Sequence, residues 1–94
     1  MPAYAITFCN ITDPEKYAGY AWLAGPAVAL YGGRFLARGG EREKMEGSID
    51  YPRVVIVEFP DMETARKFYN SPEYQAARRE RLGAADFNMT IVEG

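Results

Sequence analysis

Histidine is missing from all 94 residues. Its absence removes the Ser-His and Cys-His triads, His-ligated zinc and His-ligated haem from the chemistries open to this chain. Any catalysis must then use carboxylates, tyrosines, arginines or the substrate itself. Cysteine is almost absent too. The single Cys9 excludes an internal disulfide, and inside an apolar strand it reads as a small buried hydrophobe with nothing to activate it as a nucleophile. There is no basic excess: a net charge of −2 leaves nothing to neutralise a phosphate backbone, which argues against a nucleic-acid partner. No apolar run approaches a membrane span. Met1-Pro2-Ala3-Tyr4 has neither the charged nor the hydrophobic region of a signal peptide, so a cytoplasmic protein is expected. What is present is an apolar fraction of 48%, too high for disorder, on a chain with room for one domain over residues 1–94 and one core.

The organising stretch is Tyr31-Gly32-Gly33-Arg34-Phe35-Leu36-Ala37-Arg38-Gly39-Gly40, where two glycine pairs bracket a run alternating arginine with apolar residues. Gly32 and Gly33 fit the positive φ that ends a helix, and Gly39 and Gly40 fit a sharp turn. Between them, period-two alternation puts Arg34, Leu36 and Arg38 on one face of a strand.

Around this stretch the chain reads as β-α-β-β-α-β. A strand over residues 2–11 puts Tyr4, Ile6 and Phe8 on one face and Ala5, Thr7 and Cys9 on the other. Asp13-Pro14-Glu15 starts a helix running to about Leu30, which the Gly25-Pro26 pair is expected to kink or break. A second strand spans 33–38, a charged hairpin loop 40–51, and a third strand 53–59, where Val54, Val55, Ile56, Val57 and Phe59 leave no polar face. Asp61 caps a helix over about 62–70. Ser71-Pro72-Glu73 starts another that crowds Arg78, Arg79 and Arg81 into its last turn before Gly83, and a fourth strand covers about 87–92. The order predicts a ferredoxin-like α+β fold with a split second helix: a four-stranded antiparallel sheet in order 4-1-3-2 with the helices on one face. The other face would then show Tyr, Ile, Phe and Val to water as an apolar patch of roughly several hundred Å², and a second copy is expected to cover it.

Glu58 is the informative charge, because it interrupts a strand with two apolar faces. Its two readings are a structural ion pair with an arginine of the second strand and a general acid/base. If no bulge intervenes, pairing Leu36 with Ile56 sets Arg34 opposite Glu58 and Arg38 opposite Val54. Arg34 is then the structural partner and Arg38 the free cation for an anionic ligand. Trp22, Tyr20, Tyr69 and Tyr74 are read first as core aromatics, and alternatively as the lining of a pocket for a small anionic aromatic or unsaturated metabolite.

Asp13-Pro-Glu15, the string from Tyr31 to Gly40, Val55-Ile-Val-Glu-Phe-Pro60 and Ser71-Pro-Glu-Tyr74 together resemble DUF1330, a small bacterial family with a domain of unknown function, over nearly the whole chain. The resemblance implies the dimeric α/β-barrel superfamily. Its other branches include cofactor-independent monooxygenases, muconolactone isomerases, chlorite dismutases and dye-decolourising peroxidases, and the lack of histidine disfavours the haem branches. Two functions follow as expectations: a homodimeric enzyme, isomerase- or monooxygenase-like and using no metal or cofactor, with Glu58 as acid/base and Arg38 as anchor; or a non-catalytic ligand-binding or stress-associated protein in which Glu58 pairs structurally and the pocket is closed.

Overall fold

A computed structural model describes residues 1–94. The element order is β1 (Ala3–Ile11), α1 (Pro14–Leu30), β2 (Arg34–Arg38), β3 (Arg53–Phe59), α2 (Met62–Tyr69), α3 (Pro72–Arg81) and β4 (Ala85–Glu93). Local chemistry places each helix start. The side chains of Asp13, Asp61 and Ser71 accept hydrogen bonds from the backbone N–H groups of Lys16, Thr64 and Tyr74, satisfying donors that a helix start leaves open. Pro14 and Pro72 occupy the first helical positions, where no N–H is needed. Ser71 also donates its hydroxyl to the Phe68 carbonyl at 2.7 Å, so one side chain closes α2 and opens α3.

The four strands form one antiparallel sheet in the order β2-β3-β1-β4, the expected ferredoxin-like arrangement. On the helix-covered face β1 buries Ala3, Ala5, Thr7 and Cys9, and β3 buries Val57 and Phe59. Small residues on β1 let α1 approach closely with Tyr17, Tyr20, Ala24, Ala27 and Val28. Phe68 lies 4.9 Å from Phe59 and 4.6 Å from Tyr74, ring centre to ring centre, and ties α2 and α3 to the sheet. Each such buried ring contributes about 1.5–3 kcal/mol through the water it no longer orders. The other face carries Tyr4, Ile6 and Phe8 beside Val54 and Ile56, half-buried with no helix over them, and Tyr51 of the β2–β3 connection lies 6.4 Å from the Phe8 ring, centre to centre.

Two expectations need correction. First, α1 is continuous from Pro14 to Leu30 with Pro26 inside it, so it does not divide at Gly25-Pro26. The Trp22 carbonyl loses its intrahelical donor there, but Trp22 and Pro26 both lie on the solvent side, where water can satisfy that carbonyl. The helix ends at Leu30, and of the two glycines expected to take a positive φ only Gly32 does, at 73°, which allows Gly33 N–H to bond Val28 and Gly32 N–H to bond Ala29, a paired closure of the last turn. Second, the β2–β3 register is bulged. Arg34 faces Glu58 and Phe35 faces Val57, but Ala37 faces Ile56 and Arg38 faces Val55. One extra residue, Leu36, enters β2, and every position after it changes side.

Candidate functional site

The bulge decides what reaches the site. Arg34 and Glu58 stay on the helix-free face, where Arg34 Nε donates to Glu58 Oε1 at 2.7 Å. Arg38 moves to the helix-covered face together with its neighbour Val55, and its guanidinium lies 3.9 Å from the centre of the Phe35 ring. The two arginines therefore do not share a face, contrary to the unbroken alternation. Glu58, the expected acid/base, is on the far side of the sheet from Arg38.

Between α1 and the sheet lies a cavity of about 50 Å³ whose lining of 16 residues contains 13 hydrophobic ones. Its polar groups are Arg38, Arg53 and the hydroxyls of Thr7, Tyr17, Tyr20 and Tyr74. No carboxylate borders it. Arg53 precedes Val55 and Val57 on the inner face of β3 and faces Cys9 across the sheet. Its Nε is buried without a hydrogen-bond partner, and it forms no ion pair. Gly39, with φ 73°, leaves the space this guanidinium fills, since a β-carbon there would collide with it. Gly33 lies against Phe59 and Val28 in the same way, whereas Gly40 meets nothing within 4 Å and has no positive φ, so the turn does not require glycine there.

Burial sets the electrostatics of the tyrosines. Tyr17, beside the Cys9 sulfur at 4.0 Å, has its phenol pushed up to about 12 by desolvation. Desolvation and the neighbouring Tyr74 hydroxyl, 3.0 Å away, raise Tyr20 still further, and burial raises the Cys9 thiol. All three remain protonated at neutral pH. The cavity therefore offers cations and neutral hydroxyl donors, a chemistry that holds an anion but abstracts no proton. No three carboxylate or thiol side chains converge to hold a metal ion.

Of the expected ligand residues, Arg38, Tyr20 and Tyr74 line this cavity. Trp22 does not: it is 82% exposed on the outer side of α1, because the helical period that turns Tyr20 and Ala24 inward turns Trp22 away. Tyr69 lines a separate groove instead, with Arg78 and Arg81. Arg53, Tyr17 and Phe35 are site residues that the sequence reading missed. The parity of buried Val57 and Phe59 already assigns Arg53 to the inner face.

The family model described as Domain of unknown function (DUF1330) matches residues 2–94. Among solved structures, a protein of unknown function from Rhodopseudomonas palustris superposes with a TM-score of 0.78 at 21% identity, covering 99% of this chain and 82% of that one. A dimeric ferredoxin-like protein of unknown function from Jannaschia sp. CCS1 superposes with a TM-score of 0.77 at 13% identity over 100% of both chains. SnoaB, a cofactor-independent oxygenase from Streptomyces nogalater, does so with a TM-score of 0.71 at 13% identity, covering 99% and 92%. At these identities the likeness is one of fold. No curated protein matches the sequence. No helix is long and apolar enough to cross a membrane. With the whole fold matched and nearly every residue inside the family model, the chain belongs to the DUF1330 family on a ferredoxin-like fold.

Proposed function

We propose that this chain forms a homodimer through its helix-free sheet face and binds a small organic anion, unsaturated or aromatic, in the cavity between α1 and the sheet. One observation carries the reading: Arg53, half-buried with its Nε unpartnered, and the more exposed Arg38 both border an apolar cavity that contains no carboxylate to balance them. For Arg53, a charge drawn partly out of water without a counter-ion is costly, and an anionic ligand would offset that cost. Tyr17, Tyr20 and Tyr74 would supply hydroxyl donors. At about 50 Å³ the cavity accommodates a few waters, so a ring-sized ligand must displace a wall. The yielding wall is α1 at Gly25-Pro26, which stands beside Arg38 and lacks one hydrogen bond of its ladder. The single buried thiol suits a reducing compartment, and the proposal includes a cytoplasmic location.

Binding without catalysis is the better-supported version, since Glu58 pairs with Arg34 on the opposite face and nothing in the cavity serves as a base. The enzymatic version draws on the shared fold of SnoaB. It would require a substrate that ionises by itself and tyrosines that stabilise the resulting anion. The test is a methyl-labelled NMR titration with acrylate, a small unsaturated carboxylate. Val28, Val55 and Val57 methyls should shift saturably, Arg38→Ala should weaken binding about tenfold, as expected for a charge-assisted hydrogen bond, and the acid should be recovered unchanged. Unmoved methyls would overturn the binding site, and turnover of the acid would overturn the non-catalytic version.

A further inference from the structure

Along β4, an edge strand of the sheet, a groove of about 430 Å³ runs on the helix-covered face, lined by Tyr69, Arg78, Arg81, Phe87, Met89 and Ile91. Its volume lies in the range of roughly 300–1,000 Å³ typical of small-molecule sites, unlike the inner cavity. Arg81 makes the groove chemically distinctive. It is 8% exposed, it forms no ion pair, and its Nε is buried with no hydrogen-bond partner. The only polar atom it reaches is the Tyr74 hydroxyl, at 3.5 Å from Nη2.

Arg81 is held rather than satisfied. Its guanidinium stacks 3.6 Å from the centre of the Phe87 ring and 5.2 Å from that of Tyr20. Such stacking fixes the plane of the fork and offsets part of the desolvation cost, but a ring face accepts little of the hydrogen-bonding capacity of five N–H donors. Arg78 lies one turn earlier on α3, so both cations come to the same groove, and Arg78 also pairs with no carboxylate. Opposite them, Phe87, Met89 and Ile91 present an apolar wall from alternate positions of β4, with Tyr69 closing one side.

We propose that this groove is a second binding site, for a monocarboxylate with an apolar body: the carboxylate is held by Arg78 and Arg81, and the body lies along Phe87, Met89 and Ile91. Phe87 and Met89 stand between the groove and the inner cavity and border both, but the two sites can be told apart, because Ile91 and Arg78 line only the groove, while Val28, Val55 and Arg38 line only the cavity. An apolar wall that long has no use for a bare phosphate, which would need further donors in place of Met89 and Ile91.

The experiment uses the full chain, with isoleucine and valine methyls labelled, titrated with hexanoate, a saturated monocarboxylate outside the ligand class proposed for the inner cavity. The Ile91 methyls are expected to shift with saturation while Val28 stays in place. Arg78→Gln should weaken binding about tenfold, as the loss of one charge-assisted contact predicts, and Arg38→Ala should leave it unchanged. Arg81→Lys should weaken binding too, since an ammonium cannot present the planar fork. If that variant fails to fold, Arg78→Gln and the methyl map still decide. Shifts at Val28 without Ile91, indifference to Arg78→Gln, or inorganic phosphate binding as tightly as hexanoate would each overturn the proposal. The first of these results would instead support the inner cavity as the binding site.

Discussion

The Arg34–Glu58 pair shows what two side chains contribute and what they do not. The Arg34 side chain is 72% exposed and that of Glu58 24%, so within one chain the pair is a surface ion pair worth roughly 0.2–1 kcal/mol. Arg34→Ala is therefore expected to lower the free energy of unfolding by less than about 1 kcal/mol in urea melts, well short of the penalty for a buried unpaired carboxylate. Strand parity made this pair legible in the sequence. The same parity misplaced Arg38, because neither glycine nor proline marks a bulge at Leu36, and the extra residue is absorbed by backbone geometry alone. Tyr17 carries a second residue-level expectation. Its proton is bound more tightly in the folded chain, at about 12, than at the ordinary value of 10.0. The folded state thus keeps its full share of this stability below pH 10 and loses it as the pH rises towards 12. Alkaline unfolding followed by circular dichroism should be shallower over that window in Tyr17→Phe.

Among the elements, α1 is where local rule and tertiary packing disagree. Its start at Asp13-Pro14 and its end before Gly32 follow from cap chemistry, which is why both were legible. Its continuity through Pro26 was not, because what holds the helix together is the inner stripe of Tyr20, Ala24, Ala27 and Val28 against the sheet, and no local propensity encodes that. Pro26→Ala would restore the missing N–H to the Trp22 carbonyl and remove the ring's clash. It is expected to stabilise the chain by about 1–3 kcal/mol, measured as a higher urea midpoint. The same substitution should weaken acrylate binding if the yielding of α1 admits the ligand. The break between α2 and α3, by contrast, was visible as Ser71-Pro72-Glu73, since one serine both ends and begins a helix.

For the whole molecule, the question is what lies over Tyr4, Ile6, Phe8, Val54 and Ile56. Two such sheets face to face would bury them, which is the homodimer proposed above. Light scattering of a dilute sample should give twice the chain mass. Ile56→Glu, placed at the centre of the face opposite Ile6, should give single chains that remain folded, because no core contact of the helix-covered side is touched. A wild-type monomer would remove the homodimer from the proposed function. The bulge in β2 has one more consequence, in the currency of insertions and deletions. A sheet one residue thick has no interior of its own, so the same five-residue strand supplies Arg34 to one surface and Arg38 to the other, and the length of the strand divides the two roles. Deleting Leu36 would remove no charge, yet it would carry Arg38 out of the cavity and onto the helix-free face beside Arg34. In this strand the spacing of the glycine-bracketed segment decides which face each arginine occupies as much as the residues it contains.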